Sequence, residues 1–214
     1  MSSRYYPVFL DIAGKPVLVV GGGKVALGKV EGLLQAGAQV TLISPQLYPN
    51  FQSLLELKRL AWIDRAYSRG DVDGYFLVII ATDQRELNAA IVQECREKGV
   101  LTNAVDDPAN CDFVMPSVIR RGSLTVAIST GGESPAAARR IREELETFLT
   151  DDYAALLDLA SEVRQELRAR NLAVKPEAWN KALDADLRSL LAVGQREEAK
   201  RRLTDLLVKS LAVD

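Results

Sequence analysis

A chain without a single histidine must move protons with carboxylates, lysines, tyrosines or water. That absence closes off Ser-His and Cys-His nucleophilic mechanisms and every histidine-ligated metal site. The strongest remaining candidate is an acidic pair, Asp106-Asp107, in Asn103-Ala104-Val105-Asp106-Asp107-Pro108, at the end of a strand expected over Val100–Val105. Acidic residues before a proline commonly make only a turn. At the C-terminal end of a buried strand, beside a cofactor crevice, the same carboxylate is placed to act as acid or base. Asp106 is therefore the candidate catalytic residue. A second group is cationic: Arg120, Arg121, Arg139, Arg140 and Arg142 flank a loop at Gly131-Gly132. Guanidinium forks match carboxylates, so this region predicts affinity for a polyanionic small molecule, although Glu143 and Glu144 offer ordinary helix partners. Between the arginines, Ser129-Thr130-Gly131-Gly132-Glu133-Ser134-Pro135 reads as a glycine loop entering a helix. Ser134 is its N-cap and Pro135 its first residue, and the pair makes a candidate anion site.

The element that must position such chemistry is Lys15–Ala26, KPVLVVGGGKVA. Val17 to Val20 form a continuous apolar run, the pattern of a central parallel strand covered on both faces. Gly21, Gly22 and Gly23 follow, and Ala26 holds the last place of a G-x-G-x-x-G/A fingerprint. In that fingerprint the first glycine makes the tight turn, a later one admits a pyrophosphate, and Ala26 lets the helix pack closely on the strand. Ala26, Val30, Leu33 and Leu34 give the helix one apolar face; Gly37 ends it, and Ala38–Ile43 reads as the next strand. That strand closes on Leu42-Ile43-Ser44-Pro45-Gln46, without the acidic residue that usually binds ribose hydroxyls. Ser44 or Gln46 must serve by hydroxyl or amide, and no arginine follows to receive a 2′-phosphate, which favours NAD over NADP.

The remaining chain fits an α/β fold. Tyr5–Asp11 reads as a short strand or edge segment, Gln52–Lys58 as a short helix, Ala61–Tyr67 as a short strand, and Phe76–Ala81 as a buried strand. Thr82 and Asp83 follow at that strand's C-terminal end, with Asp83 as expected N-cap and Glu86 three residues on. Thr82, Asp83 and Asn103 complete the candidate cofactor contacts, because doubly wound sheets bind ligands at strand C-termini. Phe113–Ile119 and Ser123–Ser129 read as two further strands. The second alternates Leu124, Val126, Ile128 with Thr125, Ala127, Ser129, a half-buried pattern that suits a sheet leaving the nucleotide domain or pairing with another subunit. From Asp152 onward the pattern is helical, with helices expected to about Leu167, over Pro176–Val193 and over Gln195–Leu211.

Composition narrows the class further. With 214 residues, 48% hydrophobic and a net charge of −2, the chain has room for one domain plus a smaller one and exerts no global pull on nucleic acid or membrane. No apolar run is long enough to span a bilayer and no charged-then-apolar leader is visible, so a cytoplasmic protein is expected. Cys95 and Cys111 have no metal-binding spacing.

Four stretches taken together resemble the precorrin-2 dehydrogenase family, which includes stand-alone enzymes of siroheme synthesis and the N-terminal modules of siroheme synthases. They are PVFLDIAGKPVLVVGGGKVA, ATD after a buried strand, NAVDDPANCDFVMPS, and VAISTGGESPAAARRIREELE. The resemblance implies NAD-dependent oxidation of precorrin-2 to sirohydrochlorin and, in some members, insertion of ferrous iron in the same pocket. It implies Asp106 as the catalytic aspartate, and nucleotide contacts at Lys24, Val25, Pro45 and Gln46. Thr130 falls where one bacterial member carries a phosphorylatable serine. The implied fold is a Rossmann domain (1–113), a central dimerisation segment (114–150) and a small helical C-terminal domain (151–214). The implied assembly is a homodimer, and Arg120, Arg121, Thr130, Gly131, Gly132, Ser134 and Arg139 are the expected substrate-binding residues. Two rivals make different predictions. An NAD-sensing regulatory module would carry an output element, and none is visible in the helical tail. A dehydrogenase of another small substrate would ordinarily need a proton-transferring histidine or lysine.

Overall fold

The computed structural model describes residues 5–211. The chain divides into two compact units, Met1–Met115 and Pro116–Asp214.

In the first unit five strands form one sheet: β1 (Pro16–Val20), β2 (Gln39–Ile43), β3 (Ala61–Ile63), β4 (Leu77–Ile80) and β5 (Leu101–Ala104). Their order is β3-β2-β1-β4-β5, with every neighbouring pair parallel. Helices α1 (Lys24–Gln35), α2 (Gln52–Glu56) and α3 (Arg85–Lys98) lie in three of the four crossovers, and a loop joins β3 to β4. The apolar run of β1 is explained by its place at the centre. Val17 and Val19 join the core under α1, with Ala26, Leu27, Val30 and Leu33. Leu18 and Val20 join the core under α3, with Ile91, Val92 and Cys95. β4 divides in the same way, Leu77 and Ile79 to one face and Val78 and Ile80 to the other. Strands buried on both faces cannot alternate with polar residues.

Several elements are shorter than their sequence pattern. Residues 5–11 form no strand, and Tyr6, Val8 and Phe9 are exposed. The stretch from Ala61 stops at Ile63 because Arg65 and Asp71 form a two-pronged ion pair, at 2.6 and 2.7 Å, that folds the chain into a loop. At the start of α3 the N-cap is Gln84, and Asp83 does not cap. Thr82 causes the shift: its hydroxyl accepts from Gln84 N at 3.2 Å, and Asn88 Nδ2 donates back to Thr82 O at 3.0 Å.

The second unit begins with an antiparallel pair, β6 (Ser117–Arg121) and β7 (Leu124–Ile128). β6 starts four residues later than the apolar pattern from Phe113 suggested. Residues 112 and 113 are held along β5 instead, by Asp112 N donating to Thr102 O at 2.9 Å and Asn103 Nδ2 donating to Phe113 O at 2.8 Å. Helix α4 (Pro135–Phe148) packs on the pair. A helical core follows from α5 (Asp152–Ala169), α6 (Pro176–Ala182), α7 (Ala185–Ala192) and α8 (Arg196–Ser210). Leu159, Val163, Leu187, Leu203 and Leu207 are its centre. The single helix expected over Pro176–Val193 is two, because Asp184 accepts from Leu187 N at 2.9 Å and starts α7 as its N-cap. No helix among the described residues is long and apolar enough to cross a membrane.

Candidate functional site

The register of the sheet brings the candidate residues of the first unit to one edge. Val20 pairs with Ile80, and Ile80 with Ala104. The ladder then continues through Ala81 N to Val20 O and Val105 N to Ile80 O, at 2.8 and 2.9 Å. Gly21, Ala81 and Val105 are therefore level at the strands' C-terminal ends, and Asp106 stands on the same edge as the glycine turn. With two strand spacings between β1 and β5, the turn and the carboxylate are about 10 Å apart across the sheet.

The three glycines do different work. Gly21 has φ +112°, and a Cβ there would meet the Ala81 carbonyl oxygen at 2.3 Å. A Cβ on Gly22 would meet Gln46 O at 2.0 Å. Gly23 has φ −79° and ψ −179°, which any residue can adopt, and a Cβ on it would touch nothing within 4 Å. Gly23 is also the N-cap of α1, with no side chain capping that helix. The first-turn N–H groups of Lys24, Val25 and Ala26 have no side-chain cap, and a Cβ on Gly23 would project into open space beside them, the arrangement a helix N-terminus needs to receive a diphosphate. Substituting Gly23→Ala should leave the thermal midpoint within about 2 °C of the parent. It should also weaken NADH binding about tenfold by fluorescence titration; unchanged affinity would show that the open space is not the diphosphate cradle.

The loop after β2 lies beside this cradle. Ser44 is 7% exposed, and its hydroxyl donates to Gln46 O at 2.6 Å, so it shapes the turn and leaves Pro45 and Gln46 as the exposed residues. Trp62 Nε1 donates to Ser44 O at 2.9 Å and Tyr48 N to Gly22 O at 2.7 Å, pinning the loop at both ends. Beyond β4, Asp83 is exposed while Thr82 is tied to Asn88. Asn103 is 6% exposed, and its amide goes to Phe113 O and, at 3.5 Å, to Cys111 Sγ. Its position is thus one of support for the 105–113 segment.

The acidic pair separates into two roles. Asp107 accepts from Asn110 Nδ2 at 2.8 Å, and its carbonyl accepts from Asn110 N, so it builds the turn. Asp106 has φ +63°, and its exposed carboxylate accepts no hydrogen bond among the described residues. An aspartate tolerates the left-handed region better than most side chains, at a cost of about 1 kcal/mol. Cys111 Sγ lies 3.1 Å from Ala104 O and 3.2 Å from Asp107 O, closing the same loop from below.

One nearby cation was not legible in the sequence. Lys29, on α1, is half-buried; burial pulls its pKa below the ordinary lysine value, while the charges of Asp106 and Cys111 act in the opposite direction. In the sequence it is one lysine bordering an apolar stripe, with nothing to separate it from a solvated one.

The arginine group of the second unit is mostly engaged. Arg121 Nε donates to Leu149 O at 3.0 Å and lies 3.6 Å from Asp151. Arg140 pairs with Glu144 and Arg142 with Glu143 and Glu146. Arg120 is exposed on β6. Arg139 is exposed on α4 and has no ion pair among the described residues. The loop before α4 is well made: Thr130 Oγ1 donates to Ser134 O and accepts from Ser134 N, both at 3.1 Å, and Ser134 Oγ accepts from Ala137 N at 3.2 Å. Gly131 and Gly132 carry positive φ angles of +67° and +88°.

Comparison with known proteins follows the same division. Residues 8–117 match a family model described as "Putative NAD(P)-binding", and residues 121–147 one described as "Sirohaem biosynthesis protein central". Siroheme synthase 1 of Serratia proteamaculans is 38% identical over 93% of this chain and 42% of its own length. Siroheme synthase 1 of Aeromonas salmonicida is 39% identical over 95% of this chain and 44% of its own. The chain thus spans less than half the length of these curated relatives. Among solved structures, the precorrin-2 dehydrogenase SirC superposes with a TM-score of 0.74 at 26% identity, covering 94% of this chain and 100% of that one.

Proposed function

Because this chain belongs to the NAD(P)-binding family of sirohaem biosynthesis, that of precorrin-2 dehydrogenases and siroheme synthase N-terminal modules, we propose that it oxidises precorrin-2 to sirohydrochlorin with NAD. One observation carries the reading: a free carboxylate, Asp106, and a dinucleotide cradle, Gly21–Gly23, share one edge of one parallel sheet. NAD, when bound, supplies the hydride acceptor. The chain's own part is to seat the diphosphate on the first turn of α1, with Lys24 and Val25 beside it and Pro45 and Gln46 toward the ribose. Asp106 takes the proton that leaves the macrocycle as hydride departs, so the substrate loses one hydride and one proton. In the second unit, Arg139 is the exposed cation proposed to receive a substrate carboxylate, with Arg120 beside the strand turn. Incubating the protein with precorrin-2 and NAD, and following NADH formation with the macrocycle's absorption spectrum, tests the reading. Failure to form sirohydrochlorin with a correctly folded, NAD-binding protein overturns it. Ferrous or cobaltous ion added to the product then reads metal insertion as a separate step.

We also propose a homodimer through α4 and the β6–β7 pair. The apolar residues of α4 are largely uncovered, with Ala138 buried but Ile141 41% and Phe148 63% exposed. Such a face is unusual on a monomer's helix. An Ile141→Asp/Phe148→Asp double variant is expected to halve the mass seen by light scattering while keeping its helical circular dichroism; an unchanged mass would place the subunit contact elsewhere.

A further inference from the structure

Lys29 belongs to none of the roles above, yet its surroundings are specific. On α1 it is one turn after Ala26 and one turn before Leu33, both buried, so it stands at the border of the stripe that packs on the sheet. The chain leaving β5 folds over this same side, since Val105 and Phe113 pack against the α1 core. Between those two residues in the chain lies Asp106, whose carboxylate acts on the Lys29 ammonium against the effect of burial. Helical side chains tilt toward the helix N-terminus, which directs Lys29 to the sheet edge that carries Asp106. No carboxylate is in ion-pairing contact with the ammonium among the described residues.

This arrangement is incomplete for a half-buried cation. Taking the ammonium partly out of water costs free energy, and no ion pair among the described residues offsets it. An anion arriving between Lys29 and the β5 edge would remove that deficit. The diphosphate is the poorer candidate. Its turn follows β1, about 10 Å across the sheet from Asp106, and Lys29 lies about 4.5–7.5 Å along α1 beyond the first-turn N–H groups of Ala26 to Lys24.

We propose that Lys29 binds a carboxylate of the macrocyclic substrate and so sets which ring carbon stands over Asp106. The proposal rests on the precorrin-2 reading and makes Lys29 a specificity-determining residue of that site. Its test separates binding from turnover. Purified full-length Lys29→Met and Lys29→Arg proteins are titrated with NADH, and with uroporphyrin as a polycarboxylate probe, by fluorescence. For Lys29→Met the expected result is unchanged NADH affinity, porphyrin affinity about tenfold weaker or more, and a shallower dependence of that affinity on salt. Lys29→Arg should recover most of the porphyrin affinity. With precorrin-2 and NAD, KM should rise at least tenfold while kcat changes less than threefold. A fall in kcat with KM unchanged would make Lys29 a partner of Asp106 only, and loss of NADH affinity would assign it to the cofactor; either result overturns the proposal. Should the parent bind porphyrin tightly but fail to oxidise precorrin-2, the reaction assigned above falls while the anion site at Lys29 is still tested by the titration.

Discussion

An Asp106→Asn protein will bind NADH like the parent and lose turnover of precorrin-2 by about 10²–10³-fold, the range expected when a general base is removed. Asparagine is the informative replacement because it keeps the size of the side chain and shares aspartate's tolerance of the left-handed region. Asp106 sits there at φ +63°, so a bulkier or β-branched residue would confound lost chemistry with a displaced loop. The companion variant, Asp106→Gly, separates the two further. Glycine adopts the same backbone without the Cβ penalty, so the thermal stability of Asp106→Gly should be no lower than the parent's and up to about 1 kcal/mol higher. Turnover should be lost in both. A gain in stability on removing this exposed carboxylate, together with a loss of turnover, would support the proposal that the strained position is kept for chemistry. An Asp106→Asn rate within threefold of the parent would transfer the base to another group.

The middle of the sheet was readable because its central strands are buried on both faces, and that burial forces uninterrupted apolar sequence in β1 and β4. The glycine turn was readable because two of its glycines have no room for a Cβ; the third faces open space, and its use for a ligand is the prediction tested by Gly23→Ala. Element ends were less legible. Asp83 has the composition of an N-cap, but the hydroxyl of Thr82 reaches Gln84 N first, and both side chains suit the role. The helix over Pro176–Val193 is apolar at helical spacing on either side of Leu183-Asp184, so periodicity runs through the break; only the bond from Leu187 N to Asp184 reveals it.

Within the site, a candidate was easier to nominate than its supports were to read. Asp106 draws attention by its place after a strand in a chain without histidine, and its role as base is the proposal tested above. The residues that hold it in place are ordinary in sequence. Asn103 turns inward to Phe113 O, Cys111 closes the loop onto Ala104 O, and Asp107 anchors Asn110. A buried pair elsewhere makes the same point: Glu94 accepts from Tyr67 at 2.7 Å and from Gly70 N at 2.6 Å. Nothing local to Glu94 announces partners more than twenty positions away, because such bonds depend on which helix face meets which loop.

The second large effect concerns Gly22, and it is a loss of the fold's edge more than of one contact. An alanine Cβ at Gly22 would fall 2.0 Å from Gln46 O, 2.8 Å from Ser44 Oγ and 2.9 Å from Leu47 Cδ2. The first of these is backbone and cannot rotate away, so relief requires moving the whole loop after β2. That loop is held by Gly22 O accepting from Tyr48 N and by Ser44 Oγ donating to Gln46 O, bonds that a shift of even 1 Å would break. Overpacking alone costs about 1–3 kcal/mol, and the lost bonds add to it. Gly22→Ala is therefore expected to be destabilised by ~3 kcal/mol or more in urea unfolding. Bound NADH should fail to restore the parent's midpoint, because Pro45 and Gln46 move with the loop. The contrast with Gly23→Ala is the discriminating result. Adjacent glycines replaced by the same methyl group should separate, one losing stability and the other only cofactor affinity, because backbone surrounds the first and open space the second. Equal losses of stability at both positions would mean that the turn is held by glycine's flexibility alone and that no ligand-sized space exists at Gly23.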